Sequence, residues 1–224
     1  MLIEKIRYRK QELPFRHPFT ISGGRSKTHQ PIFQIALQAN GVFGYGEAPE
    51  ISYYGIRVEQ MIRDLELIRP KLLDCSFAHP EELYRDQKNK LPQNSFLRCA
   101  IDMAAWDLYA KLEMKPVHAL WGRTSEKELL SDYTIGIGAP EEMLNRMKEM
   151  PWPIYKIKLG FEEDMQLLAE IRKHTKAKIR VDVNAGWSLE QAERKFGEME
   201  DLQIELVEQP LAKEEWGQAE KLFQ

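Results

Sequence analysis

The sequence predicts an α/β chain in which an α+β cap precedes a run of βα units. Two observations carry the prediction. Strand-like stretches come first and helical periodicity follows up to about residue 125, whereas strand and helix alternate strictly from residue 132 onward. Strands followed by helices read as α+β. Alternation reads as a parallel sheet with helices outside it, either closed as a barrel or open and doubly wound. A third observation limits the count. The chain has 224 residues, and the part after residue 131 has room for four units, where a complete eight-unit barrel takes roughly 250 residues. The domains are expected to span residues 1–125 and 126–224.

Residues 2–9 alternate weakly and predict a strand. Pro14 to Gln30 is rich in Gly, Ser, Thr and Pro and predicts a mobile loop. Residues 31–39 and 42–48 flank Asn40-Gly41, a pair that tolerates positive φ and closes tight hairpins. Residues 49–56 form a second loop, and helices dominate from 57 to 114. In Ser95 to Met114, Leu97, Ala100, Ile101, Ala104, Ala105, Leu108 and Leu112 recur at spacings of three and four and make one apolar face. Pro116 ends that helix. The later strands are Tyr133–Ile137, Ile154–Leu159, Ile179–Val183 and Ile204–Glu208. The helices between and after them are Pro140–Glu149, Glu162–His174, Ser188–Met199 and Lys213–Phe223.

Composition narrows the function classes. The net charge is −3 with both signs interspersed, which leaves no basic stripe for nucleic acid and no polybasic membrane patch. Cys75 and Cys99 make neither a disulfide framework nor a zinc site. The five histidines, His17, His29, His79, His118 and His174, show no metal-ligand spacing. The first seven residues lack the apolar core of a signal peptide, and no apolar run reaches membrane-spanning length. The expected location is the cytoplasm.

The chemistry gathers at strand ends. In Tyr155-Lys156-Ile157-Lys158-Leu159-Gly160 the two lysines share one face, because side chains alternate along a strand. Two lysines on a lone strand read as a solvated face. Inside a barrel, mutual repulsion and desolvation would both disfavour their charge, and a neutral lysine near pH 7 can take a proton from carbon. Asp182 and Asn184 share a face at the end of the next strand, and Glu208 ends the one after. In a parallel barrel the carboxyl ends of the strands meet at one rim. Each carboxylate alone reads as a surface or capping group. Together Asp182 and Glu208 could hold an oxygen-liking cation, most simply Mg²⁺. Asn184 could hydrogen-bond a metal ligand or the substrate.

At these residues the chain resembles the enolase superfamily, in its muconate-cycloisomerase-like branch. The likeness runs through Gly46-Glu47-Ala48-Pro49, the helix Ala100-Ile101-Asp102-Met103-Ala104-Ala105-Trp106-Asp107-Leu108, Leu120-Trp121-Gly122, Lys156-x-Lys158, Asp182-x-Asn184 and Glu208-Gln209-Pro210. Within the branch, Ser131-Asp132-Tyr133-Thr134 is most similar to the dipeptide epimerases. The resemblance implies an N-terminal α+β capping domain and a (β/α)8 TIM-type barrel, here about its first four βα units. It implies proton abstraction alpha to a carboxylate, with Lys158 as the base and Lys156 holding the carboxylate and keeping its neighbour's pKa low. Asp182 and Glu208 then ligate Mg²⁺, which stabilises an enediolate. A third metal carboxylate and an opposite-face lysine come from later strands in the family, so a longer natural protein is expected. Asp102 and Asp107 read as structural, hydrogen bonding and packing between the two domains.

Segments 18–28 and 49–56 match family loops that close over the substrate. Arg25 could pair with a substrate side-chain carboxylate, as guanidinium suits that geometry, or be a solvated loop residue. Thr134, at the mouth of the first barrel strand, could touch the substrate peptide, and Tyr53 and Tyr54 could pack on it or simply pack the loop. The expected function is Mg²⁺-dependent epimerisation of a dipeptide such as Ala-Glu. One alternative is o-succinylbenzoate synthase or a muconate-type cycloisomerase. Another, of a different class, is a non-catalytic half-barrel binding or scaffold protein. The expected partner is a small carboxylate substrate rather than nucleic acid or a membrane, and the family tends to form homo-oligomers.

Overall fold

The structure is a computed structural model and describes residues 1–20, 26–73, 75–91, 93–124, 129–160 and 163–223. It divides into two compact units. One comprises Met1–Pro14 and His29–Lys127, the other Phe15–Thr28 and Glu128–Gln224.

The first unit is a three-stranded sheet backed by helices. Strands β1 (Lys5–Thr20), β2 (Ser26–Ala39) and β3 (Val42–Pro49) lie in the order β1-β2-β3, and the ends of β1 from Phe15 and of β2 up to Thr28 count with the second unit. β2 and β3 run antiparallel, with Ala39 paired to Val42. The turn residues Asn40 and Gly41 have φ of 49° and 76°, as a tight right-twisted hairpin demands. Phe33, Ile35, Leu37 and Ala39 alternate onto the buried face of β2. Helices α1 (Val58–Leu73), α2 (Pro80–Lys90), α3 (Ser95–Leu112) and the short α4 (Val117–Leu120) complete the unit.

Small residues decide how α3 sits. A Cβ on Gly44 would lie 2.2 Å from the Ala104 carbonyl oxygen, and one on Gly46 would lie 2.0 Å from that of Ala100. The backbones of β3 and α3 therefore meet without intervening side chains. The contact is stitched at its edge. Asp107 accepts the Tyr45 N–H at 2.8 Å, and Lys111 donates to the Phe43 carbonyl at 3.0 Å. Asp107 thus has its partners inside the first unit. Asn94 caps α3 by accepting the Leu97 N–H at 3.0 Å.

The stretch expected as a loop at 14–30 is mostly strand: β1 continues to Thr20 and β2 begins at Ser26. Residues 10–20 and 26–30 are exposed or half-buried on both faces. A ribbon without a buried face writes no period-two pattern into its sequence. Pro14 and Pro18 fit because β1 is an edge strand of its sheet.

The second unit is a four-stranded parallel sheet, β4 (Tyr133–Ile135), β5 (Ile154–Lys158), β6 (Lys178–Asp182) and β7 (Ile204–Glu208), paired in that order. It is crossed by α5 (Pro140–Glu149), α6 (Asp164–His174) and α7 (Leu189–Asp201). Tyr155, Ile157, Ile179 and Val181 pack with Leu167, Leu168, Ile171, Ala192 and Met199 into one core. Residues between them in sequence take the opposite face. At the far end of the strands the Arg172 guanidinium donates to the carbonyls of Leu202 at 2.8 Å and Ala177 at 2.9 Å. The final helix is shorter than expected: α8 (Trp216–Ala219) gives way to a 3-10 turn at Glu220–Phe223. Trp216 stays largely exposed, so that stretch has little burial to extend it. Among the described residues no helix is long and apolar enough to cross a membrane.

One irregularity aims the chemistry. Ile179 pairs with Ile204, but Arg180 pairs with Leu206 and Asp182 with Glu208, so Glu205 is an extra residue in β7. A strict period of two would put Glu208 on the same face as Ile204, toward the helices. The bulge reverses the alternation and turns Glu208 onto the face of Asp182.

Candidate active site at the strand ends

Register brings the predicted residues together. Lys158 pairs with Asp182, Asp182 with Glu208, and Thr134 with Lys156. All lie on the sheet face away from the helices. The Lys158 ammonium donates to Asp182 Oδ2 at 2.5 Å and to Asn184 Oδ1 at 3.0 Å. The Lys156 ammonium reaches the same Asp182 oxygen at 2.9 Å and Glu208 Oε2 at 2.6 Å. Asp182 and Lys158 are buried, while Lys156 is half-buried and Glu208 exposed. The site is therefore closed at its base and open at its mouth.

The electrostatics differ from the sequence expectation in one respect. The two amines do not simply repel each other, because carboxylates stand between them. Burial pulls the Lys156 amine down, but hydrogen bonds to Glu208 and Asp182 outweigh it and hold the group above the ordinary lysine value. Burial pushes Asp182 up, and the bonds from Lys158 and Lys156 overcome it to hold the carboxyl below its ordinary value. In this arrangement the acids keep Lys156 charged.

The loops beyond the strands are bent to serve the site. Asn184 and Ala185 have φ of 50° and 62°, and Gln209 has φ of 46°. Such left-handed conformations cost an L-residue roughly 1 kcal/mol each, least for Asn. Here they turn the Asn184 N–H back onto Asp182 Oδ1 at 3.1 Å, and the Ala185 N–H donates to the Gln209 carbonyl at 2.8 Å. Asp182 is thus held by two ammonium groups and a backbone N–H.

Thr134 is half-buried beside a groove of about 140 Å³ formed with Phe15, Pro18, Phe19, Gly136 and Arg146. Tyr53 and Tyr54 belong to the first unit, in a 3-10 turn at Ser52–Tyr54. Their rings meet edge to face at 5.0 Å between centroids, and Tyr54 also packs on Phe96. Arg25 lies outside the described residues. Two features escaped the sequence reading. Phe19 brings its ring centroid to 6.0 Å from the Lys158 ammonium; the signal was an apolar residue in the segment matched to a closing loop. Arg180, on the Lys156 face, binds Asp132 and Glu205, each at 2.7 Å. Its place two residues before Asp182 was the signal.

The donor set suits a hard cation. The Lys156 ammonium already rests where the Asp182 and Glu208 oxygens converge, so the pair gathers positive charge at one point. Among the described residues no group of three or more His, Cys, Asp or Glu is placed to hold a metal. Mg²⁺ is commonly held by one or two carboxylates, with water or substrate oxygens completing its shell, and two carboxylates fit that pattern.

Comparison with known proteins gives the family. The family model of the mandelate racemase/muconate lactonizing enzyme N-terminal domain matches residues 4–122, and the enolase C-terminal domain-like model matches residues 139–222. The chain is 39% identical over 219 residues to the L-Ala-D/L-amino acid epimerase of Flavobacterium johnsoniae, covering 98% of this chain and 65% of that protein. It is similar to the substrate-liganded L-Ala-D/L-Glu epimerase of Bacillus subtilis, with a TM-score of 0.89 and 28% identity over 99% of this chain and 65% of the other. The dipeptide epimerase of Methylococcus capsulatus, complexed with Mg and the dipeptide L-Arg-D-Lys, gives a TM-score of 0.89 and 27% identity, over 97% of this chain and 64% of the other. The chain thus spans a little under two thirds of the length of these relatives. With an antiparallel-sheet cap, a parallel α/β barrel portion and both family regions matched in order, the chain belongs to the mandelate racemase/muconate lactonizing enzyme family of the enolase superfamily.

Proposed function

We propose that the protein is a Mg²⁺-dependent epimerase that removes the proton alpha to a carboxylate, acting on dipeptides. The observation that carries this reading is the convergence of two lysines on one buried carboxylate, with a second carboxylate and an amide at the same strand ends. The α-proton of a carboxylate is very weakly acidic, so abstraction needs a base at the carbon and positive charge where negative charge develops. Lys158, buried and tied to Asp182 and Asn184, is the proposed base. Lys156 is the proposed partner for the substrate carboxylate. Asp182 and Glu208 would hold Mg²⁺, which when bound supplies further positive charge beside that carboxylate.

The substrate class is supported by the epimerases similar to this chain, one of which is complexed with Mg and a dipeptide. Thr134, in register with Lys156, is proposed to contact the peptide. Arg25 is proposed to pair with a substrate side-chain carboxylate, and Tyr53 and Tyr54 to pack on the substrate. The test is incubation of the protein with a dipeptide panel that includes Ala-Glu, in D₂O with Mg²⁺, followed by NMR of the α positions. Deuterium entering the α position of the carboxy-terminal residue is the expected result. No exchange on any member of the panel, with turnover of a cycloisomerase or o-succinylbenzoate-type substrate instead, would transfer the site to that chemistry.

A further inference from the structure

We propose that Asp164 is a positioning residue for Lys158: it clamps the loop after β5 to the loop after β6 and so fixes the base against Asp182 and Asn184. The claim deepens the function proposed above and rests on it.

Asp164 is fully buried at the first turn of α6. Its carboxylate accepts the Gly160 N–H at 3.1 and 3.2 Å, the Trp187 indole N–H at 2.7 Å and the Lys195 ammonium at 3.2 Å. Gly160 stands two residues beyond Lys158, and Trp187 three beyond Asn184. One side chain therefore grips both loops just past the residues of the site. Lys195, only 1% exposed, also lies 4.8 Å from the Trp187 ring centroid, which fixes the indole from the other side.

An independent contact points the same way. A Cβ on Gly186 would lie 2.8 Å from the Gly160 Cα, so the two loops touch backbone to backbone. Gly160 has φ of 128°, a conformation that excludes most side chains. No side chain fits between Gly160 and Gly186, so the two loops are held in direct contact there.

Stability alone does not account for the charges. A buried ion pair is on average no more stabilising than well-packed apolar residues of the same volume. What the carboxylate adds is geometry, since one group accepts from three donors on separate segments at once. Catalysis by a positioned base is sensitive to displacements on the order of 1 Å, worth about 100-fold in rate.

The test compares two double variants of the intact natural protein. Asp164→Ala/Lys195→Met removes the clamp. Asp164→Asn/Lys195→Met keeps an acceptor for Gly160 and Trp187, and neither leaves a buried ammonium without its partner. At temperatures where both are folded, the alanine version is expected to lose about 100-fold in kcat for α-deuterium exchange at unchanged KM, and the asparagine version to recover most of that loss. Equal kcat in the two would overturn the proposal, whatever their melting temperatures. A second readout needs no turnover: the rate at which an acylating reagent labels Lys158, followed by peptide mass spectrometry, should rise severalfold in the alanine version and not in the asparagine one. If the unsubstituted protein exchanges no dipeptide, the function reading fails and labelling decides the positional claim, equal rates overturning it. Should the alanine version not fold, Trp187→Phe removes only the indole donor. It should lower kcat about tenfold, and an unchanged kcat and labelling rate would overturn the clamp.

Discussion

Lys158–Asp182 and Lys195–Asp164 are two lysine–carboxylate pairs in one unit, on opposite faces of the same strand ends. In side-chain exposure they are similar, at 10% and 2% for the first pair and 2% and 0% for the second. Their surroundings differ. Asp164 adds an indole and a backbone N–H to its ammonium and lies among the helices. Asp182 adds a second ammonium, which leads outward to the exposed Glu208. The first arrangement holds a shape. The second leaves charge at an open mouth, where the proposed cation and substrate carboxylate would bind. Burial of a salt bridge therefore does not by itself distinguish function from architecture; what the remaining donors are attached to does.

The largest expected effect separates the pairs by activity. Lys158→Met should lower α-proton exchange by about 1000-fold or more. Its unfolding free energy should change by no more than about 1 kcal/mol, since Lys156 and the Asn184 N–H still serve Asp182. Lys195→Met should show the converse bias, losing about 3 kcal/mol in urea denaturation because a buried carboxylate is left without its cation. A Lys195 variant as stable as the parent would break the comparison.

A smaller effect probes the contact between the loops. Gly186→Ala forces a Cβ to 2.8 Å from the Gly160 Cα, and overpacking of this kind costs about 1–3 kcal/mol. Gly197→Ala, in α7 with nothing within 4 Å of an added Cβ, should instead stabilise by about 0.5–1 kcal/mol. The pair of glycine variants, measured by denaturant unfolding, separates loop contact from helix propensity. Loss at both sites would mean that the backbone touch between the loops is not what Gly186 provides.

The proposed catalytic lysines were more legible in the sequence than the proposed clamp. Lys156, Lys158 and Asp182 follow from alternation along two strands, and the βα order placed those strands side by side. Glu208 was expected on the right strand, but its facing depends on the bulge at Glu205, which nothing local announces. Lys195 sits in Glu193-Arg194-Lys195 and looks solvated. Yet it falls three residues after the buried Ala192 and four before the buried Met199, the spacing of the inward stripe of α7. A charged residue on an apolar stripe was the available signal. The ribbon at 10–20 and 26–30 was hidden for another reason: it is exposed or half-buried throughout and leaves no apolar face to read.

The smallest effect is on pH dependence, and it tests the electrostatic half of the comparison. Asp182 lies below its ordinary value of 3.8, so the stability it contributes is complete above that pH and is lost as pH falls through the lower folded value. Lys156 lies above its ordinary 10.5, so its contribution is complete below 10.5 and is lost as pH rises past it. Asp182→Asn should remove the acid limb and flatten the alkaline limb in part, because Lys156 loses a partner at 2.9 Å but keeps Glu208 at 2.6 Å. Urea midpoints measured from pH 2 to 5 and again from pH 10 to 12, without metal, read this directly. Flattening of the acid limb alone would mean that Glu208 rather than Asp182 holds the Lys156 charge, and the open pair would then reduce to Lys158 and Asp182.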